Sequence, residues 1–238
     1  MSKLIDIVFD LETVALCPTA APMQIAACAF SRDNLGEFIT DNDGRAVILN
    51  EGVDLTTAVM AGLTFDSDTI NFWTKQKEAV QLSVMQLERH QIEYVPQLLV
   101  DYARKVMKLT EADKVCIWCQ GTDFDVAILR NIAYLFRDNQ EVENDITWPW
   151  KHTQYRDCRT YIQEMGKMLF DLNDVDVANH PRLVYDKLPQ FETEQSMTHD
   201  ALYDSMKSAW SVMQLMQVEQ AHRKLFALWS EKAKKESK

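Results

Sequence analysis

A short apolar run, residues 4–9, leads straight into Asp10 and Glu12, and no other stretch constrains the fold as strongly. A run of that length and composition reads as a buried strand. Side chains two apart on a strand share a face, so Asp10 and Glu12 act from one side of a sheet. Carboxylates at the end of a buried strand lose hydration and repel each other. Hard divalent cations remove that penalty, because carboxylate oxygens suit Mg²⁺ and Mn²⁺. Two more acidic patches follow: Asp125 directly after Phe124, and Asp204 five residues after His199. The chain therefore reads as one built to hold metal ions.

The pattern around these patches predicts their supports. Residues 23–30 read as a second strand. Residues 37–40 and 46–50 read as a third and a fourth, joined by the turn sequence Asp41-Asn42-Asp43-Gly44. From Asp66 the pattern turns helical. Ser67 or Asp68 caps a helix through Phe72 and Trp73, another helix spans 78–87, and 97–108 is amphipathic. Residues 114–118 form a strand, and 124–136 a helix with Asp123 as its cap. Residues 137–150 are polar and loop-like, 159–170 are helical, and 173–198 form a surface excursion with Pro181 and Pro189. Residues 201–232 form a long terminal helix. Strands first, then mixed strand and helix, predict an α/β layer fold with a mixed sheet, here one domain over 1–238.

Each candidate has a plainer alternative. Asp125 at a helix start either caps that helix or faces the sheet end, where α/β folds bind ligands; Asp123 serves the cap equally well and leaves Asp125 free. His199 and Asp204 are about 140° apart on one helix, so they converge only if His199 precedes the helix, with Thr198 or Asp200 as its cap. Cys116 and Cys119 have redox or zinc spacing but no second pair, and read as buried thiols. Residues 171–176 look faintly like a calcium loop, yet lack its glycine and closing glutamate. The methionines within 206–216 read as core filling.

Bulk properties exclude several classes. No stretch approaches the roughly 20 apolar residues of a membrane span, so no membrane is expected. The N-terminus lacks a signal-peptide layout, and five cysteines fit reduced thiols in the cytoplasm. A net charge of −11 argues against a broad basic footprint on duplex DNA. The basic tail, residues 232–238, reads as a solvated helix end.

Taken in order, Phe9-Asp10-Leu11-Glu12-Thr13, then Phe124-Asp125, then His199 with Asp204 resemble the three motifs of the DEDDh family of 3′–5′ exonucleases. A narrower resemblance covers most of the chain. Residues 68–76, 118–125, Pro149-Trp150 and 156–160 are similar to a phage and bacterial branch described as exoribonucleases or exodeoxyribonuclease VIII-like. That branch usually reads Trp-Gly-Asn-Gly before Phe-Asp; here Trp118-Cys119-Gln120-Gly121 places a longer amide, so a substrate contact is expected to shift.

The resemblance implies a ribonuclease H-like mixed β-sheet flanked by helices. It implies two Mg²⁺ or Mn²⁺ ions held by Asp10, Glu12, Asp125 and Asp204, with Asp10 bridging. It also implies His199 as general base and release of nucleoside 5′-monophosphates from the 3′ end of RNA or DNA. Thr13 would meet the terminal nucleotide. Trp73 and Phe124 would stack on unpaired bases or pack in the core, and Arg159 would meet phosphate or pair with Asp157. Homodimers are common in that family, and the 173–198 excursion or the terminal helix could mediate one. The rival reading is a nucleic-acid-binding module that kept the fold without the chemistry. Retention of all five residues argues against it.

Overall fold

A computed structural model describes residues 3–137, 148–180, 182–191 and 197–236. The apolar run continues through both carboxylates as one ten-residue strand, β1 (Leu4–Thr13). It pairs antiparallel with β2 (Pro22–Ser31), with Asp10 opposite Ala26 and Glu12 opposite Gln24. β3 (Asn34–Phe38) and β4 (Leu49–Val53) both pair antiparallel with β2. They lie about three residues from their expected places, because the Asp41–Gly44 turn closes only a single bridge between Thr40 and Ala46.

Three helices follow: α1 (Leu55–Met60), α2 (Ser67–Trp73) and α3 (Glu78–Met85). The cap of α2 is Asp66, whose Oδ1 accepts the Thr69 N–H at 2.8 Å, and not Ser67 or Asp68. The short β5 (Arg89–His90) joins β4 in parallel. Then come α4 (Val95–Thr110) and β6 (Lys114–Cys119), the latter parallel to β1. A turn of π-helix, Thr122–Val126, runs into α5 (Ala127–Leu135). Asp123 does not cap it: the residue ahead of the turn is Gly121, with φ of 135°, and no side chain caps this end.

β7 (Tyr155–Asp157) completes a seven-stranded mixed sheet of order β5-β4-β2-β1-β6-β7, with β3 on β2. α6 (Cys158–Phe170) follows. The expected excursion at 173–198 instead holds two short helices, α7 (Asp174–Asn179) and α8 (Leu183–Lys187), because Val177, Val184 and Leu188 have core to bury in. The calcium-like acids form a capping box: Asn173 Oδ1 accepts the Asp176 N–H and Asp176 Oδ2 accepts the Asn173 N–H. Gly166 lets α8 lie close on α6, since a Cβ there would sit 2.1 Å from a Val184 methyl. α9 (Ala201–Glu236) is the long terminal helix. Most of the polar 137–150 segment, Pro181, and the side chains of the basic tail lie outside the described residues.

The period of two on β1 separates two environments. Ile5, Ile7, Phe9 and Leu11 face a core shared with α4 and α5. Val8 faces a second core, built with α6, α8 and α9, that includes Met213 and Met216. Asp6, Asp10 and Glu12 share that second face. The carboxylates are thus held between the sheet and the start of α9. All five cysteines are free thiols; Cys116 and Cys119 are buried, and burial pushes both upward in pKa. Among the described residues no helix is long and apolar enough to cross a membrane.

Candidate active site

Glu12 is brought to its partners by Gln24, its neighbour on β2. Gln24 is fully buried. Its Nε2 donates to Asn50 Oδ1 at 2.8 Å, and its Oε1 accepts the Ala201 N–H at 3.0 Å. That bond pins the first turn of α9 to the sheet. Asp200 caps the same turn, accepting the N–H groups of Leu202 and Tyr203 at 3.1 Å each. Its second oxygen accepts the Ser83 hydroxyl at 2.7 Å, which ties in α3.

His199 therefore precedes the helix. Its φ of 70° turns the chain, and its N–H donates to Asp204 Oδ2 at 2.8 Å. Glu12, His199 and Asp204 each offer one ligand atom, all within 4.8 Å of one another. The His199 ring stands edge-on to Phe72, with centroids 4.9 Å apart.

Asp125 arrives on the π-helical turn and is 4% exposed. Its pKa rises to about 7, chiefly through burial, against hydrogen bonds from its own and the Leu11 backbone N–H and from the Cys119 thiol, and against the Arg159 charge. Glu12 is pushed up to about 9 by burial and then by the charges of Asp204, Asp200 and Asp125. Asp10 is raised well above the carboxylate range by lost hydration, then by Asp125, Glu12, Asp204 and Asp200. Asp204 is raised by burial, which the His199 N–H, the His199 ring and Lys207 partly offset. Carboxylates that hold one another's protons in this way are oxygen donors short of positive charge. They could hold divalent cations.

Asp10, Glu12, Asp125, His199 and Asp204 all border one cleft of about 420 Å³. Phe124 and Arg159 line it as well, and Arg159 Nη2 donates to the Gln120 carbonyl at 3.0 Å rather than pairing with Asp157. Thr13 and Trp73 do not line it. The Thr13 hydroxyl donates to Ala15 O at 2.8 Å, and its carbonyl accepts the Trp73 indole N–H at 2.9 Å. Trp73 instead borders an apolar hollow of about 340 Å³ with Val14, Met23 and Ile70. The Gln120 amide is occupied within the fold, donating to Ser208 Oγ at 2.6 Å.

Sequence reasoning missed Arg182, Tyr185 and Lys207, which also border the cleft, and Phe72 against His199. The first two sit on and beside α8, in a stretch without helical period. Lys207 lies three residues after Asp204, and that i,i+3 spacing was a usable signal. Gln24 carried no signal, because a buried amide in an apolar strand shows its purpose only once its partners are placed.

Comparison with known proteins agrees with this geometry. Residues 6–216 match the family described as the 3′–5′ exoribonuclease Rv2179c-like domain. No curated protein matches the sequence. Among solved structures, cell-death related nuclease 4 (CRN-4) is similar at 13% identity and a TM-score of 0.52, over 92% of this chain and 66% of that one. This chain thus spans just under two thirds of that nuclease. A full-length 3′-exonuclease is similar at 13% identity and a TM-score of 0.50, over 92% of this chain and 84% of the other. At such identity these likenesses establish the fold, a mixed sheet flanked by helices.

Proposed function

We propose, on the premise that this chain belongs to the Rv2179c-like family of 3′–5′ exoribonuclease domains within the DEDDh exonucleases, that it removes nucleotides singly from unpaired RNA 3′ ends. The observation that carries this reading is the convergence of Asp10, Glu12, Asp125, His199 and Asp204 on one cleft. The mutual repulsion of its acids supports Asp10, Glu12, Asp125 and Asp204 as holders of two Mg²⁺ or Mn²⁺ ions. When bound, such ions lower the pKa of a water and stabilise charge on the phosphorus and the departing O3′.

The chain's own groups would do the rest. His199 takes the proton of the attacking water. Its turn conformation ahead of α9, the N–H bond to Asp204 and the edge contact with Phe72 support this role. The hydroxide so formed bonds to phosphorus as the P–O3′ bond breaks, and O3′ takes a proton from solvent water, giving a nucleoside 5′-monophosphate and a strand shorter by one with a 3′ hydroxyl; His199 then returns its proton to solvent. Arg159 and Lys207 border the cleft and supply positive charge to phosphate oxygens. Phe124 offers a ring to the terminal base. A net charge of −11 leaves little surface to grip long duplex, which favours unpaired ends.

The test is digestion of matched RNA and DNA oligonucleotides, each single-stranded, 3′-overhanging and blunt, with Mg²⁺ and then Mn²⁺. Metal-dependent release of 5′-monophosphates, fastest from unpaired RNA, is expected. Fastest attack on blunt duplex would overturn the end preference. No metal-dependent release from any substrate would overturn the activity.

A further inference from the structure

A separate hollow of about 290 Å³ opens between the sheet, α6 and α9. It lies well down α9 from the cleft: Glu219 on its wall is fifteen residues beyond Asp204, about 22 Å at the helical rise. Three of the chain's ten arginines border it, Arg32, Arg156 and Arg223.

Each guanidinium is already held. Arg32 Nε and Nη2 donate to the fully buried Asp6 at 2.7 and 2.8 Å. Arg156 Nη1 donates to the carbonyls of Thr153 and Tyr155 at 2.8 and 2.6 Å. Arg223 pairs with Glu219 at 2.5 Å. Trp118 and Tyr161 form an edge-to-face pair at the base of the hollow, 5.5 Å between centroids. Their polar atoms are engaged too, the indole N–H on Asp6 at 2.7 Å and the phenol on Glu219 at 3.2 Å.

The charges do not balance. Three guanidinium groups meet two carboxylates. Asp6 already accepts three bonds, and Glu219 accepts from both Tyr161 and Arg223. Arg156 has no carboxylate partner among the described residues, only the two backbone carbonyls. In a chain of net charge −11, this is a local surplus of positive charge around a concave space.

We infer that this hollow is an anion site for the phosphate of a phosphate ester, distinct from the carboxylate cleft. Guanidinium forks match tetrahedral phosphate oxygens, and prior anchoring of all three reduces the ordering loss on binding. The partly exposed Tyr161 ring, backed by Trp118, gives the organic part of the ester an apolar surface. The phosphate could come from a free mononucleotide or from the backbone of a strand whose 3′ end lies elsewhere. Occupancy of the hollow does not depend on cleavage at the cleft, so binding is measured without metal and apart from activity.

Calorimetric titration of the full chain in EDTA, with inorganic phosphate, a nucleoside 5′-monophosphate and unpaired RNA of increasing length, checks the site. One saturable site is expected, weakened about ten-fold or more in Arg156→Gln and in Arg223→Gln and unchanged in Asp10→Ala. Monophosphate binding that is Arg156-dependent identifies a free phosphate group as the ligand. Arg156-dependent binding by longer strands alone identifies a backbone phosphate. Absence of a saturable site with every probe, wild-type affinity in both arginine variants, or loss of binding in Asp10→Ala would overturn the site.

Discussion

Asp6 and Asp10 stand on the same face of β1, four residues apart, and their surroundings are opposite. Asp6 is fully buried and accepts two bonds from Arg32 and one from the Trp118 indole. Asp10 and Glu12 form no salt bridge among the described residues and meet other carboxylates instead. A buried carboxylate supplied with donors is a structural element, because its charge is neutralised within the fold. Carboxylates supplied with one another, Asp10 half-buried and Glu12 buried, are held at a cost that folding alone does not explain. The strand thus joins a structural end to an end that awaits positive charge.

The widest separation between the two ends should appear in activity. Asp10→Ala is expected to reduce 5′-monophosphate release to background, a loss of about 10⁴-fold or more, while the metal-free protein stays folded and melts no lower than wild type. Wild-type rates in Asp10→Ala would erase the distinction. Next in size, His199→Asn should slow cleavage on the order of 10²–10³-fold with Mn²⁺ affinity nearly unchanged, since His199 is read as a base and not a ligand. Calorimetry finding Mn²⁺ binding lost in that variant would move His199 among the metal ligands.

The structural end should respond in stability instead. Asp6→Ala leaves the Trp118 N–H buried without its acceptor and the Arg32 guanidinium without its partner. A loss on the order of 2–3 kcal/mol in urea unfolding is expected. Part of the Arg32 penalty is relieved because that side chain is 38% exposed and rehydrates. Cleavage by the folded fraction should stay within about two-fold of wild type. A stability change as small as that of a surface substitution would mean that Asp6 is as dispensable to the fold as Asp10.

This contrast marks what the sequence could and could not carry. The strand, its two carboxylates and the Phe124-Asp125 step were legible because apolar runs and acid spacing are local signals. The place of His199 ahead of α9 followed from helical geometry, and the structure adds its φ of 70°. Asp6 carried no such signal, since Arg32 reaches it from the turn after β2 and Trp118 from β6. The same holds for the helices hidden in 173–198, which depend on Val177, Val184 and Leu188 finding a core. The cap of α2 is a different case: the bond from Thr69 to Asp66 is local, and Asp66, Ser67 and Asp68 in succession are all residue types that cap helices. Trp73 was open to base stacking or core packing in the sequence, and only the fold shows its indole N–H bracing the Thr13 carbonyl and its ring bordering the apolar hollow.

The smallest expected effect is on pH dependence, and it tests the charge argument directly. Glu12 is raised to about 9 from an ordinary value near 4.5, and Asp125 to about 7 from 3.8. Between the ordinary and the raised values the folded chain binds more protons than the unfolded one. Stability must therefore fall as pH rises through that window. The melting temperature in EDTA should drop by several degrees between about pH 5.5 and pH 8.5. Other groups titrate in the same range, so the informative quantity is the difference from Glu12→Gln, whose slope should be shallower. Saturating Mn²⁺ should flatten the wild-type slope and raise the melting temperature most at high pH, because ion binding requires the deprotonated carboxylates. A melting temperature that rises over this range in EDTA, or a slope identical in wild type and Glu12→Gln, would show that these carboxylates are not held against their charge.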